Sequence, residues 1–254
     1  MARWRVLSPE PEALSPDETR RPGAGRVVAL IEVLICSDVL TQYAIGGTLL
    51  ALGYPAKLPN GQLNVGYVVA LSLGDAVMLV GLILLLLYAH GERPRDVLFG
   101  RRPIAGEGVL GLLLIPLAFG IAIAVMLTVR RFAPSLHNVP DNPLQGLLKS
   151  PRDAWLFALV VVVAGGVREE IQRAFLLHRF DVWLGGGAAG LLITSVAFGA
   201  GHFELQGADA GLATGLLGAF WGFVYLRRRS SLAPIVSHAG FDLLQILPFL
   251  GLRG

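Results

Sequence analysis

Glu169 and Glu170 stand side by side, directly after the apolar run 154–167 and just before Arg173. Two histidines, His202 and His238, follow in later apolar stretches. Ionisable groups inside hydrocarbon, or at its edge, are costly and mark working sites. Carboxylates and imidazoles together can activate water. A carboxylate serves as general base, and an imidazole shares the water or donates to developing negative charge. In Val167-Arg168-Glu169-Glu170-Ile171-Gln172-Arg173, a helix places Glu169 and Arg173 one turn apart, with Glu170 three residues from the same arginine. Arg168 and Arg173 supply two positive charges against two neighbouring carboxylates, which would otherwise repel each other. The same residues also suit an interfacial salt-bridge cluster with no chemistry. Phe198-Gly-Ala-Gly-His202 puts Phe198 one turn before His202. His238-Ala-Gly-Phe-Asp242 puts an imidazole and a carboxylate at i,i+4, projecting together from an apolar run. Asp242 can fix the His238 tautomer, although such a pair equally glues helices together.

The elements that must position these groups are membrane helices. Of 254 residues, 54% are hydrophobic and 15% charged, against about 25% charged in a soluble domain. Mean hydropathy is +0.63. Seven apolar stretches read as helical spans: residues 27–52, 65–88, 108–129 with Pro116 as a kink, 154–180, 184–201, 208–226 and 232–252. A span needs roughly 20 apolar residues. Nothing alternates like a barrel strand. The expected fold is an all-α polytopic transmembrane bundle of seven to eight spans. One transmembrane domain, residues 27–254, follows a polar tail at residues 1–26, and its chemistry-bearing half is about residues 154–247. Residues 134–150 read as a loop with a short interfacial helix. The tail is not a signal peptide, because the apolar run after it is too long for a cleaved segment.

The pI is 9.3, but the positive charge lies in short arginine clusters between apolar runs. That is a topology signature and argues against nucleic-acid binding. An N-terminus on the cytoplasmic side puts Arg93, Arg95, Arg101, Arg102, Arg179 and the run 227–229 inside. Arg130, Arg131, Lys149 and Arg152 oppose this orientation. The expected location is an integral, multi-pass membrane protein, in the plasma membrane if the cell is bacterial. The single Cys36 reads as a buried thiol with no disulfide partner in the chain. Gly207, Gly211, Gly215, Gly218 and Gly222 form a small-xxx-small pattern for close helix packing. Glu32, Asp38 and Asp75 read as cross-helix pairs, and His90, His137 and His178 as solvated.

A Glu-Glu…Arg helix, then Phe-xxx-His, then His-xxx-Asn/Asp resembles the CAAX prenyl protease type 2 family, the CPBP or abortive-infection intramembrane proteases. The resemblance covers about residues 155–247. The run Leu-Arg-Arg-Arg-Ser-Ser-Leu-Ala-Pro-Ile-Val-Ser-His at 226–238 is also similar to the family's approach to its last histidine. It implies an intramembrane endopeptidase acting on a membrane-anchored or lipidated peptide or protein, with membrane lipid as surroundings. Glu169 or Glu170, with His202, would activate the attacking water. His238 and Asp242 would bind the oxyanion or orient the carbonyl. Arg173 would hold the glutamates, and Phe198 would pack beside the site. Two departures matter. The family spacing is Glu-Glu-xxx-Arg, so aligning Arg173 puts Glu169 in the second glutamate position and Arg168 in the first. Asp242 also stands where Asn is common, and an ionised Asp only accepts hydrogen bonds. No cofactor is implied. Two histidines and a glutamate would also suit zinc, but HExxH is absent and the histidines come from separate helices. The other readings are a non-catalytic scaffold or immunity-type protein of the same fold, and a proton-coupled transporter. The transporter reading lacks paired broken helices or inverted halves.

Overall fold

A computed structural model describes residues 22–139 and 145–251. Most of the expected N-terminal tail, part of the 134–150 loop and the last residue of the final span lie outside the described residues. The helices are α1 (Pro22–Ile35), α2 (Val39–Ala51), α3 (Val65–Ala89), α4 (Ile104–Phe132), α5 (Pro151–Val160), α6 (Glu169–Trp183), α7 (Gly187–Gln206), α8 (Ala208–Arg228) and α9 (Leu232–Gly251). A π-helical stretch, Val161–Arg168, joins α5 to α6. No strand occurs among the described residues. Local chemistry accounts for several helix starts. Asn64 caps α3 by accepting from Gly66 N at 3.0 Å. Ser150 caps α5 by accepting from Asp153 N at 3.2 Å, with Pro151 in the first turn.

Five stretches are long and apolar enough to cross a membrane: Gly23–Ala51, Val65–Ala89, Ile104–Phe132, Ala208–Arg228 and Leu232–Leu250. The other two segments differ in kind. The α5–π–α6 segment carries the charged cluster, and the apolar part of α7, Gly187–Phe203, is shorter. The protein is therefore an all-α polytopic bundle. Large side chains such as Val77, Leu85, Leu113 and Leu192 point outward, as a lipid-facing belt requires. Inside, Leu79, Ile83 and Leu87 of α3 pack with Phe175 and Leu177 of α6.

The first span departs from the single helix expected over 27–52. The chain breaks after Ile35, Asp38 takes φ +80°, and α2 restarts at Val39. Ser37 Oγ donates back to Leu34 O at 2.7 Å, and the Asp38 carboxylate is drawn to Arg168. These side-chain bonds compete with the continuing helix.

Helices α7 and α8 meet backbone to backbone. A Cβ on Gly199 would lie 2.6 Å from Gly211 O and 3.1 Å from Gly215 Cα. Part of the glycine pattern thus serves close approach. At one end of the bundle, Gly25 of α1 abuts the Trp183 ring and Arg229 pairs with Asp181 at 2.7 Å. There too Arg102 Nε donates to Arg228 O at 3.0 Å, Tyr225 donates to Val97 O at 2.9 Å, and Ser231 Oγ donates to Leu98 O at 2.6 Å. The start of α1, the α3–α4 loop and the ends of α6 and α8 therefore share one end, which carries most of the arginines among the described residues.

The three histidines expected in solvent keep part of their surface exposed, and each also bonds a carboxylate. His90 Nε2 reaches Glu32 Oε1 at 2.5 Å, His137 Nδ1 reaches Asp209 Oδ2 at 2.5 Å, and His178 Nε2 reaches Glu92 Oε1 at 2.6 Å. Arg179 joins two of these pairs, donating to Glu32 Oε2 at 2.5 Å and to Glu92 Oε2 at 2.6 Å. Burial of Glu92 acts to raise its pKa, but the hydrogen bonds from His178 and Arg179 prevail and hold its carboxyl below the usual range. A depressed folded-state pKa stabilises above the unfolded value and is lost as pH falls through the folded one. Glu92→Gln is therefore expected to cost about 1–2 kcal/mol at neutral pH. Thermal melts should show its gap from wild type closing as the medium is acidified through the carboxylate range.

Candidate active site

The π-helical stretch begins Val161-Val162-Val163 and continues Ala164-Gly165-Gly166. β-Branched residues and glycines hold an α-helix weakly, and π-turns are frequent at functional sites. The two glycines also admit α9. A Cβ on Gly166 would lie 2.5 Å from Ala239 Cβ, and one on Gly165 would lie 2.8 Å from Asp242 Oδ2. Close approach here brings His238 and Asp242 of α9 against the glutamates that open α6.

Glu170 is 1% exposed and is held on one oxygen. Its Oε1 accepts from Arg173 Nη1 and from His238 Nδ1, the latter at 2.8 Å. His238 Nε2 then faces Asp242 Oδ2 at 3.5 Å and Glu169 Oε2 at 3.9 Å. Glu169 keeps 15% of its side chain exposed, and its Oε1 accepts from Arg168 Nη2 at 3.0 Å. Each glutamate thus has its own arginine. Arg173, expected to serve both, bonds Glu170, whereas Arg168 takes Glu169 and also reaches Asp38 Oδ1 at 2.5 Å and Asp75 Oδ2 at 3.2 Å. Three carboxyl groups therefore face one imidazole, and two more reach the cluster through Arg168.

Aromatic rings wall the cluster. Trp221 of α8 stacks on His238 with centroids 3.9 Å apart and planes 16° apart, while its Nε1 donates to Ser237 Oγ at 3.1 Å. Phe198 stands edge-on to His202 at 4.7 Å and to His238 at 6.4 Å. The Arg173 guanidinium lies over Phe198 at 4.8 Å, a cation–π contact that also shields the Glu170 ion pair. Gly218 and Gly222 of α8 leave room for Arg173: a Cβ on either would lie within 3.6 Å of its side chain.

Glu169, Glu170, Arg173, Phe198, His238 and Asp242 come together as the sequence suggests. His202 stands one ring away. Its Nδ1 donates to Phe198 O at 2.8 Å, and it makes no direct bond to either glutamate among the described residues. A carbonyl only accepts, so Nδ1 carries the proton and a neutral His202 offers Nε2 as an acceptor. Trp221, Asp38 and Asp75 join the site only through tertiary packing. Trp221 reads as packing in a glycine-rich helix, and the two aspartates lie in the first two spans, with no neighbouring motif. Among the described residues, no group of three or more His, Cys, Asp or Glu side chains could hold a metal ion.

Residues 151–244 match the family model described as Type II CAAX prenyl endopeptidase Rce1-like. The match runs from the start of α5 into α9 and includes every site residue above except Asp38 and Asp75. Comparison with curated proteins and with solved structures finds no match.

Proposed function

Because residues 151–244 match the model of the Rce1-like type II CAAX prenyl endopeptidases, a family of CPBP intramembrane proteases, we propose that this membrane protein hydrolyses a peptide bond of a membrane-anchored or lipidated chain, using a glutamate-activated water. The observation that carries the reading is the His238 imidazole held between Glu170 on one nitrogen and Glu169 with Asp242 on the other.

Glu169 is the base. Its Oε2 faces the site while Arg168 holds Oε1, and it is the more accessible of the pair. Glu170, buried and doubly bonded, positions His238. The water gives a proton to Glu169 Oε2, and its oxygen bonds to the scissile carbonyl carbon. With both ring nitrogens protonated, His238 donates to Glu170 from Nδ1 and to the new oxyanion from Nε2. Glu169 then passes its proton to the amide nitrogen, the C–N bond breaks, and the acid product gives its remaining proton to the amine, so that a carboxylate and an ammonium group leave. His202 accepts the water's second hydrogen through Nε2. Asp242 accepts only; its carboxylate beside Nε2 favours the doubly protonated ring and leaves the single Nε2–H for the oxyanion. The scheme uses no cofactor.

The same reading puts the N-terminus in the cytoplasm, with the plasma membrane as the site in a bacterium. Support comes from the arginine-rich end that α1 shares with the α3–α4 loop and the end of α8.

The test is a comparison of membrane proteomes from cells carrying wild type or Glu169→Gln. Shortened membrane-anchored chains should appear only with wild type. Identical proteomes would overturn the reading. Purified protein should keep its activity in chelator, and a loss reversed by added zinc would overturn the metal-free scheme.

A further inference from the structure

The family-matched segment does not hold its proposed base unaided. Arg168 is buried, and all three guanidinium nitrogens are engaged. Nε donates to Ala164 O at 3.3 Å, Nη2 reaches Glu169, and Nη1 reaches Asp38 and Asp75. Both aspartates come from the first two spans, outside residues 151–244. Asp38 sits at φ +80°, a region that costs a non-glycine residue energy and persists only where surroundings enforce it. Its other oxygen, Oδ2, accepts from Gln42 Nε2 at 2.6 Å. Asp75 is 2% exposed, and its Oδ1 has no partner among the described residues. A cavity of about 70 Å³ adjoins it, lined by Gln42, Leu71, Ser72, Asp75, Ala164 and Arg168. One water needs roughly 10–15 Å³ and a few polar partners, so the chamber accommodates several. A buried carboxylate oxygen without a partner is otherwise costly.

We propose that Asp38 and Asp75 are positioning residues that grip Arg168 so as to fix Glu169, and that the chamber beside them stores the water that replenishes the site. The inference rests on Glu169 being the base. The first two spans thereby become part of the catalytic apparatus rather than a membrane anchor for it. Asp38 acts through the arginine fork, which presents Glu169 Oε2 to the substrate side. Asp75 serves both functions, with one oxygen on the arginine and the other on stored water.

The variant Asp38→Gly separates positioning from folding. Glycine adopts φ +80° without strain, and the Asp38 side chain makes no capping bond to α2. Relief of the backbone strain at Asp38 offsets part of the lost pair, and Asp75 and Glu169 still face Arg168, so the protein should fold with a Tm at or somewhat below wild type. A base displaced by a fraction of an ångström to an ångström loses rate, so kcat on an isoprenylated Cys-aliphatic-aliphatic-X peptide should fall up to about 100-fold at constant KM. Asp75→Asn should behave alike. Wild-type kcat in both variants overturns the positioning role. Cleavage that survives Glu169→Gln overturns the base assignment instead. The chamber is tested without activity, by hydroxyl-radical footprinting of the full chain in lipid nanodiscs. Leu71 should label several-fold faster than lipid-facing Leu85, and equal rates overturn water storage.

Discussion

Glu169→Gln lowers kcat by about a hundred- to ten-thousand-fold, the range a positioned general base contributes. Glutamine keeps the shape of the side chain and can still accept from Arg168, but it takes no proton from water. The packing against His238 and the π-turn is retained, so yield and Tm should match wild type. His202→Ala should also fall steeply, because the Nε2 acceptor disappears while the Phe198 carbonyl that held the ring returns to its helix. Glu170→Gln loses activity by a different route. It weakens the charge-assisted bond that fixes His238, and the Arg173 charge is left without its partner, so a lower Tm accompanies the loss. Single-turnover cleavage and melting curves on the three variants check this. Full cleavage by all three would leave the site without a mechanism.

Arg173→Ala is expected to destabilise the fold by about 3–5 kcal/mol, the cost of stripping one partner from a buried ion pair. Glu170 is 1% exposed, and water cannot replace the guanidinium there. The variant also empties the space beside Gly218 and Gly222 and uncovers the face of Phe198. Little folded protein should accumulate. The double variant Glu170→Gln with Arg173→Met removes both charges and refills the space. It should recover much of the lost stability and none of the activity, because His238 still lacks its carboxylate. The comparison is read from detergent-solubilised yield and Tm. A single variant as stable as wild type would disprove the dependence of Glu170 on Arg173.

The polar groups of the second half are legible in the chain because they interrupt apolar runs, and helical spacing alone pairs His238 with Asp242. The pairing of each arginine is not legible. Glu169 and Arg173 lie one turn apart in regular α6, yet Arg173 turns to Glu170 under Phe198 and leaves Glu169 to its neighbour Arg168, a choice made by the packing of other helices. Asp38 and Asp75 meet Arg168 only through tertiary packing across more than ninety residues of chain, and no local pattern announces such a contact. The helix break at Asp38 is hidden for the same reason, since its φ answers to side-chain bonds outside its own segment. His90, His137 and His178 look solvated by position, and their carboxylate partners appear only once the helix ends are brought together. Trp221 is concealed differently. An aromatic in a glycine-rich membrane helix reads as packing, and its stacking on His238 depends on where α9 lies.

Gly199 resting on Gly211 and Gly215 governs how a target can arrive. No side chain separates α7 from α8 where Gly199 meets Gly211 and Gly215, so there is no door at that crossing to swing open. An isoprenoid tail or an unwound peptide sliding in from the bilayer would have to force two main chains apart. Traffic must use another flank of the bundle, and the closed seam serves as the fixed jamb against which that entrance is framed.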